Sequence, residues 1–189
     1  MRVIGTVGLA GSGKGEAATV ARDLDIPVVT MGDVIRQECR DRGLDPATHH
    51  GEIAKALREE NGPAAIAERS LPIVRDALAE RDTVVVDGIR SDVEVEALRE
   101  AFGEDFELVS IEAPLELRAE RLDLRGRDAS VEEGGESLED RDERELGFGM
   151  GEAMEMADLR IENTDSLESF RDRIETLLTD GVEAVEVEP

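Results

Sequence analysis

A glycine-rich segment near the start of the chain has the residue types and spacing of a phosphate-binding loop. It runs from Gly8 to Gly15, after strand-forming residues and before a stretch compatible with a helix. Glycines let consecutive backbone N–H groups converge on phosphate oxygens, and a helix N-terminus adds partial positive charge. Lys14, one of only two lysines, is expected to reach the β- and γ-phosphates. The predicted nucleotide-binding residues are Gly8, Leu9, Ala10, Gly11, Ser12, Gly13, Lys14 and Gly15.

The position after the lysine departs from the usual magnesium-binding pattern. Gly15 stands where a serine or threonine hydroxyl commonly contacts Mg²⁺, and Glu16 follows it. A carboxylate there would either position metal-bound water or repel the triphosphate, and the sequence leaves both alternatives open. Glu16 is therefore a candidate nucleotide-binding residue without an assigned metal contact.

A second candidate segment follows the β-branched run from Thr83 to Val86, which predicts a parallel strand covered on both faces. The run leads directly into Asp87 and, three residues later, Arg90. An aspartate at a strand end beside the phosphate loop is suited to hold Mg²⁺ through water, and an arginine is suited to bind a phosphoryl group. Both are predicted catalytic residues; the alternative is a simple turn with an exposed arginine.

A third segment, Thr30 to Arg36, lies at the end of the second predicted strand, where open α/β sheets place ligands. It supplies three candidate substrate-binding residues: Gly32, Asp33 and Arg36. The alternative for Asp33 is a helix cap.

A fourth set consists of arginines on or just after a predicted helix, spaced so that the first three share one face: Arg118, Arg121, Arg125 and Arg127. Residues from about 125 to 150 are rich in charge and glycine and poor in apolar side chains, which predicts a mobile lid. Its arginines would close over phosphates and exclude water, with Arg141 and Arg144 as weaker candidates. The alternative is a solvated charged face.

Strands alternate with helices along the chain, which predicts a three-layer α/β fold with a five-stranded parallel sheet in a single domain, 1–189. The predicted strands are Arg2 to Val7, Ile26 to Thr30, Thr83 to Val86, Phe106 to Glu112 and Leu159 to Ile161. The region from about 31 to 80 is predicted to be helical and to form the acceptor site. The tail from Gly181 is interpreted as an edge strand or a frayed end.

The charge balance limits the kinds of partner. Subtracting 47 Asp and Glu from 22 Lys and Arg gives −25, which argues against nucleic acid and anionic membranes. Scarce lysine with excess carboxylate favours a halophile protein, and an acidic mesophile protein is the alternative. The single cysteine, Cys39, and the lack of a long apolar run predict a cytoplasmic protein.

Together, these motifs resemble those of a known group of kinases. The GSGKG loop and the Thr30 to Arg36 segment are similar to motifs of adenylate kinases, and Asp87 to Arg90 is similar to their D-G-F-P-R segment with one residue fewer. Nearly the whole chain resembles the archaeal UPF0200 family of P-loop proteins, related to adenylate, nucleoside monophosphate and dephospho-coenzyme A kinases.

The resemblance implies ATP and Mg²⁺ binding, an acceptor phosphate held by Arg36, and a position for Asn163 near the adenine. In dephospho-coenzyme A kinases an aspartate near the position of Asp33 takes a proton from a hydroxyl acceptor. Met31 replaces a threonine that helps adenylate kinases to read the base, so base specificity does not carry over.

Two functions from different classes follow. The first is an ATP-dependent phosphotransferase acting on a small, nucleotide-like anionic acceptor. The second is an ATP-binding regulatory module, or slow ATPase, that acts through a protein partner. The acceptor and the oligomeric state stay open.

Overall fold

Five strands form one parallel sheet in the described part of the chain, in the order β2-β3-β1-β4-β5. The computed structural model describes residues 1–125 and 137–185, without the side chains of Leu124 and Arg125. The strands are β1 Arg2–Val7, β2 Val28–Thr30, β3 Thr83–Asp87, β4 Phe106–Glu112 and β5 Leu159–Glu162. Central β1 pairs Val3 with Val84 of β3 and with Phe106 of β4. The predicted fold class is confirmed.

Helices connect the strands, and polar side chains cap several of them. The Asp45 carboxylate accepts a hydrogen bond from the Ala47 N–H at the start of α3. The helices are α1 Lys14–Asp23, α2 Met31–Asp41, α3 Pro46–Asn61, α4 Ala65–Glu80, α5 Asp92–Phe102, α6 Leu115–Arg125, α7 Leu138–Gly147, α8 Met150–Glu155, α9 Leu167–Asp180 and α10 Val182–Val185. Each described helix is too short or too polar to cross a lipid bilayer.

Alternate residues of the buried strands face opposite layers of helices. Val3, Val84 and Leu108 pack in a cluster with apolar residues of α2 to α5 and α8. Ile4 and Val85 pack in a second cluster with residues of α1 and α9. This alternation follows from the two-residue period of a strand. Packing on both faces fixes the strand ends relative to one another. The site lies at these strand ends.

The range predicted as a mobile lid, 125–150, is helical over much of its described part. Met150 is 2% exposed and belongs to the core cluster beneath α8. Glu145 and Asp142 on α7 pair with arginines of the body of the protein. Residues 137–150 therefore contribute one core side chain and two inward-facing carboxylates, and the mobility of the lid stays a prediction. Residues 126–136 lie outside the described residues.

The C-terminal tail also differs from the two alternatives taken from its alternating pattern. Val182–Val185 forms the short helix α10, and both of these valines pack on the cluster beneath α9. The packing of these two valines against α9 therefore favours a helix over an edge strand or a frayed end for this segment. Residues 186–189 are outside the description.

Candidate active site at the carboxyl edge of the sheet

Three of the predicted site segments follow neighbouring strands and lie at one edge of the sheet. β1 leads into the phosphate loop, β2 into Gly32, and β3 into Gly88. Thr30 and Asp87 are direct partners in the β2–β3 ladder. The parallel sheet thus brings the predicted donor and acceptor segments side by side.

The loop between β1 and α1 has a backbone that only glycine adopts easily. Gly8, Gly11 and Gly13 have φ values of 142°, 79° and 123°. A Cβ atom on Gly13 would lie 2.4 Å from Asn163 Nδ2. The Ser12 hydroxyl is buried and has no hydrogen-bond partner among the described residues. An orphaned hydroxyl in a glycine-rich loop that leads into a helix N-terminus fits a phosphate oxygen.

Two side chains from other segments hold the carbonyl groups of this loop. Asn163, just after β5, donates from Nδ2 to the Ser12 carbonyl oxygen at 2.8 Å. Arg118 of α6 donates from Nη1 to the Ala10 carbonyl oxygen at 3.0 Å. Arg121 Nη2 in turn donates to the Asn163 carbonyl oxygen at 2.9 Å. The loop conformation is therefore imposed by α6 and by the segment after β5.

Arg118, one of the arginines predicted to close over phosphates, is held inside the protein. Its side chain is 5% exposed and donates two hydrogen bonds to Asp142, at 2.9 and 2.6 Å. A buried bidentate pair is a fixed structural contact. The sequence missed it because Asp142 lies 24 residues away. Arg121 and Asn163 stay candidate nucleotide-binding residues, and both are already tied to the loop.

Lys14 is held over the loop that it was predicted to complete. Its Nζ donates to the carbonyl oxygens of Gly8 and Leu9, the latter at 3.1 Å. Burial lowers the pKa of Lys14 to about 8, and the carboxylates of Glu145 and Asp87 oppose that shift. The ammonium group therefore keeps its charge at neutral pH, where it is suited to bind phosphate.

Asp87 ends β3 and lines the same cleft as Lys14. Thr6 donates its hydroxyl to Asp87 Oδ1 at 3.3 Å. No group of three potential ligands among the described His, Cys, Asp and Glu residues could hold a metal by itself. Magnesium in nucleotide sites is commonly held by one or two carboxylates together with substrate phosphates and water. The cleft thus fits a cation that arrives with the nucleotide.

Glu16 is engaged elsewhere. Its carboxylate accepts a hydrogen bond from Arg171 of α9, and Arg171 also donates to Asp23 at 2.5 Å. This ion pair between α1 and α9 accounts for Glu16 without either of the nucleotide-side roles considered for its carboxylate. The residue is absent from the described lining of the cleft.

Two cavities lie side by side at this edge. The donor cavity, of about 380 Å³, is lined by the phosphate loop, Asp87 and Arg90. The acceptor cavity, of about 540 Å³, lies between α2, α3 and α7 and has Ile35 and Phe148 among its apolar residues. Its ionisable residues are His50, Arg58, Arg90, Asp92, Arg144 and Glu145. Arg90 and Glu145 line both cavities.

His50 is a residue of the acceptor cavity that the sequence analysis missed. Burial lowers the pKa of its imidazole below the ordinary value, and the charges of Arg36 and Arg90 add to that effect. The ring is therefore neutral at neutral pH, so it can donate one hydrogen bond and accept another. Its sequence context, two adjacent histidines on a helix, gave no signal of this position.

Glu94 is the second residue that the sequence analysis missed. It is fully buried, accepts from the Arg90 N–H at 2.8 Å, and accepts from Arg58 Nη2 at 3.1 Å. It therefore ties the turn after β3 to the acceptor helix α3. The signal was available, because Ser91 and Glu94 have the spacing of a capping box.

The predicted acceptor residues are brought together beside the second cavity. Arg36 donates to Asp33 Oδ1 from Nε at 2.8 Å and from Nη2 at 2.6 Å. A Cβ atom on Gly32 would lie 3.3 Å from Arg36 Nη1 and 3.5 Å from His50 Nε2. Asp33 does not cap α2, whose N-cap position is Thr30. The side chain of Asp33 is 64% exposed.

The last two predicted arginines cannot be placed. The side chain of Arg125 and all of Arg127 lie outside the described residues. Their lid contacts stay predictions.

The sheet order, the phosphate loop and the adjoining helices define a P-loop protein with a kinase-like fold. The gluconokinase from Sinorhizobium meliloti has this fold, with a TM-score of 0.57 and 20% identity over 98% of this chain and 95% of that chain. The shikimate kinase from Acinetobacter baumannii has it too, with a TM-score of 0.56 and 18% identity over 95% and 94%. Such identities establish the fold alone.

Comparison with related sequences gives the family. The AAA domain profile matches residues 7–139. A UPF0200 protein of Halobacterium salinarum is 60% identical over 187 residues, which cover 99% of this chain and 97% of that protein. The chain belongs to the UPF0200 family, as the resemblance predicts. The Halobacterium relative also supports the predicted halophile origin.

Proposed function

We propose that the protein is a kinase that transfers the terminal phosphoryl group of ATP to a small anionic acceptor. The observation that supports this most directly is that Arg90 and Glu145 line both the donor and the acceptor cavity. Phosphoryl transfer requires two bound reactants to meet in line while charge on the transferred group is neutralised. Adjoining cavities with a shared arginine meet that requirement.

On the donor side, the loop amides and Lys14 bind the phosphates of ATP, and Asp87 holds Mg²⁺. A magnesium ion held by Asp87 would neutralise charge on the phosphate oxygens. Arg90 then contacts the group in transfer. The neighbouring Glu94 positions Arg90 by accepting its backbone N–H.

On the acceptor side, Gly32 has no side chain and so lets the acceptor come close to the backbone. Arg36 and Arg90 orient the anionic group of the acceptor. Apolar residues of the cavity, including Ile35 and Phe148, contact the remainder of a nucleotide-like molecule. A phosphate nucleophile is already anionic and needs no general base. For a hydroxyl acceptor, Asp33 is the proposed base, and it must first leave Arg36.

The test is incubation of the protein with labelled ATP, MgCl₂ and a pool of small metabolites in molar KCl. Stoichiometric label in a small-molecule product is the expected result, and Lys14→Ala is the control that removes it. Slow phosphate release without such a product, accelerated by a protein partner, would instead favour an ATP-binding regulatory module.

The class of acceptor is tested with Asp33→Asn once a product is known. Transfer to a hydroxyl should fall far more than transfer to a phosphate, because only the hydroxyl must lose a proton. Equal and mild losses for both kinds of acceptor would eliminate Asp33 as the base.

A further inference from the structure

We propose that Glu145 is an internal stand-in for a substrate phosphate. In this account its carboxylate fills an anion subsite between the two cavities, and the phosphate of a bound substrate displaces it. The inference rests on the proposed function, since it assigns part of the same site. It adds a residue and a step that the kinase fold alone does not supply.

Glu145 lies between the two cavities and is nearly buried. The residue is 6% exposed, yet it lines both cavities. Its Oε1 lies 3.3 Å from Arg90 Nη1 and 3.4 Å from Arg141 Nε. It is also the carboxylate that most strongly opposes the lowered pKa of Lys14. Two arginines from separate segments therefore bond to one carboxylate, and Lys14 lines the same donor cavity.

The chemistry of this cluster is that of a phosphate subsite. Carboxylate and phosphate oxygens accept the same charge-assisted hydrogen bonds from arginine and lysine. Arg90 and Lys14 come from the two segments predicted to contact the transferred group. A carboxylate bonded to Arg90 and Arg141 competes directly with a phosphate for these two arginines, because the same N–H donors cannot serve both fully.

Docking of α7 does not depend on Glu145 alone. Asp142, one helical turn earlier, is held by the buried Arg118 through two hydrogen bonds. Met150, just after α7, is packed in the core. A salt bridge needed only to anchor α7 would duplicate these contacts. Glu145 can therefore leave the subsite while the start of α7 stays docked.

Occupation of the subsite by Glu145 should weaken the binding of ATP. When a competent subsite is populated for only part of the time, the apparent dissociation constant rises by the inverse of that fraction. Glu145→Gln keeps the shape of the side chain and removes its charge. It should tighten ATP binding by about tenfold, which corresponds to about 1.4 kcal/mol.

The test is calorimetric titration of ATP with MgCl₂ into full-length wild type, Glu145→Gln and Glu143→Gln in molar KCl. Glu143 is an exposed residue of the same helix, so its variant removes the same charge away from the subsite. Tighter binding in Glu145→Gln alone supports the stand-in. Unchanged or weaker binding in Glu145→Gln overturns it, and so does equal tightening in both variants.

Two further measurements distinguish a failure of this inference from a folding defect and from a failure of the proposed function. If Glu145→Gln fails to fold, Glu145→Asp retains the charge but withdraws it by one methylene, and it must tighten binding in the same direction. If wild type and Glu145→Gln bind ATP equally, only this inference falls. If neither binds ATP, the proposed function falls with it.

Discussion

The donor and acceptor cavities share two residues but are held in place by different kinds of contact. The donor loop is fixed by buried groups, with Arg118 5% exposed and bonded to Ala10 and Asp142. The acceptor helices carry exposed ion pairs, such as that of Arg69 with Glu38, where Arg69 is 39% exposed. The donor loop is therefore held by buried donors, whereas the outer faces of the acceptor helices carry exposed charges that can exchange partners. The pair of the buried Glu94 with Arg58 is the exception on the acceptor side.

This difference has a physical reason in a chain of charge −25. Exposed pairs contribute little and are screened by salt, whereas buried pairs are screened far less. A loop that must present amides to a triphosphate benefits from contacts that salt does not weaken. An acceptor site that exchanges substrate benefits from pairs that are easily replaced.

The largest expected effect is on stability, and it compares one arginine from each side. Arg118→Met leaves Asp142 without its partner and should lower the free energy of unfolding by about 3–5 kcal/mol. Arg69→Met removes an exposed pair and should cost less than about 1 kcal/mol. Denaturant unfolding at constant KCl measures both. Equal losses would remove the distinction between the two sides.

A smaller effect is expected from glycines of the donor loop. Gly13→Ala places a Cβ atom 2.4 Å from Asn163 Nδ2 at a φ of 123°, and it should cost about 1–3 kcal/mol and weaken ATP binding. Gly15→Ala meets nothing within 4 Å and lies in α1, so it should be neutral or slightly stabilising. Thermal unfolding and ATP titration of both variants check this. A harmless Gly13→Ala would show that the loop is less constrained than its contacts indicate.

The smallest expected effect is a difference in pH dependence between ATP binding in the donor cavity and acceptor binding in the acceptor cavity. The pKa of Lys14 is lowered to about 8, so the ammonium is charged below that pH and is progressively lost above it. ATP affinity should therefore fall by about tenfold between about pH 7 and about pH 9.5. The lowered pKa of His50 keeps the imidazole neutral over this range, so the KM for the acceptor should stay nearly constant. Titrations across this range test the contrast, and a pH-independent ATP affinity would contradict it.

Much of the fold and the donor loop follows from local sequence patterns. The apolar strand runs and the glycine spacing each report on neighbouring residues, and β1, β3 and the loop lie where those patterns place them. Glu145 and Asp142 could not be assigned in the same way. Their roles depend on partners 55 and 24 residues away, and in a chain crowded with carboxylates their types alone are uninformative. Glu94 has a local capping-box signal, but its contact with Arg58, 36 residues away, has none.

The central claim, that the loop after β1 binds a nucleoside triphosphate through Lys14, is tested most directly by calorimetry. ATP with MgCl₂ is titrated in molar KCl into wild type, Lys14→Ala and Lys55→Ala. Lys55, the other lysine, is 77% exposed on α3 and serves as the matched control. Wild type and Lys55→Ala should bind equally, and Lys14→Ala should bind at least about tenfold more weakly. Equal binding by Lys14→Ala, or no binding by wild type, would contradict the account.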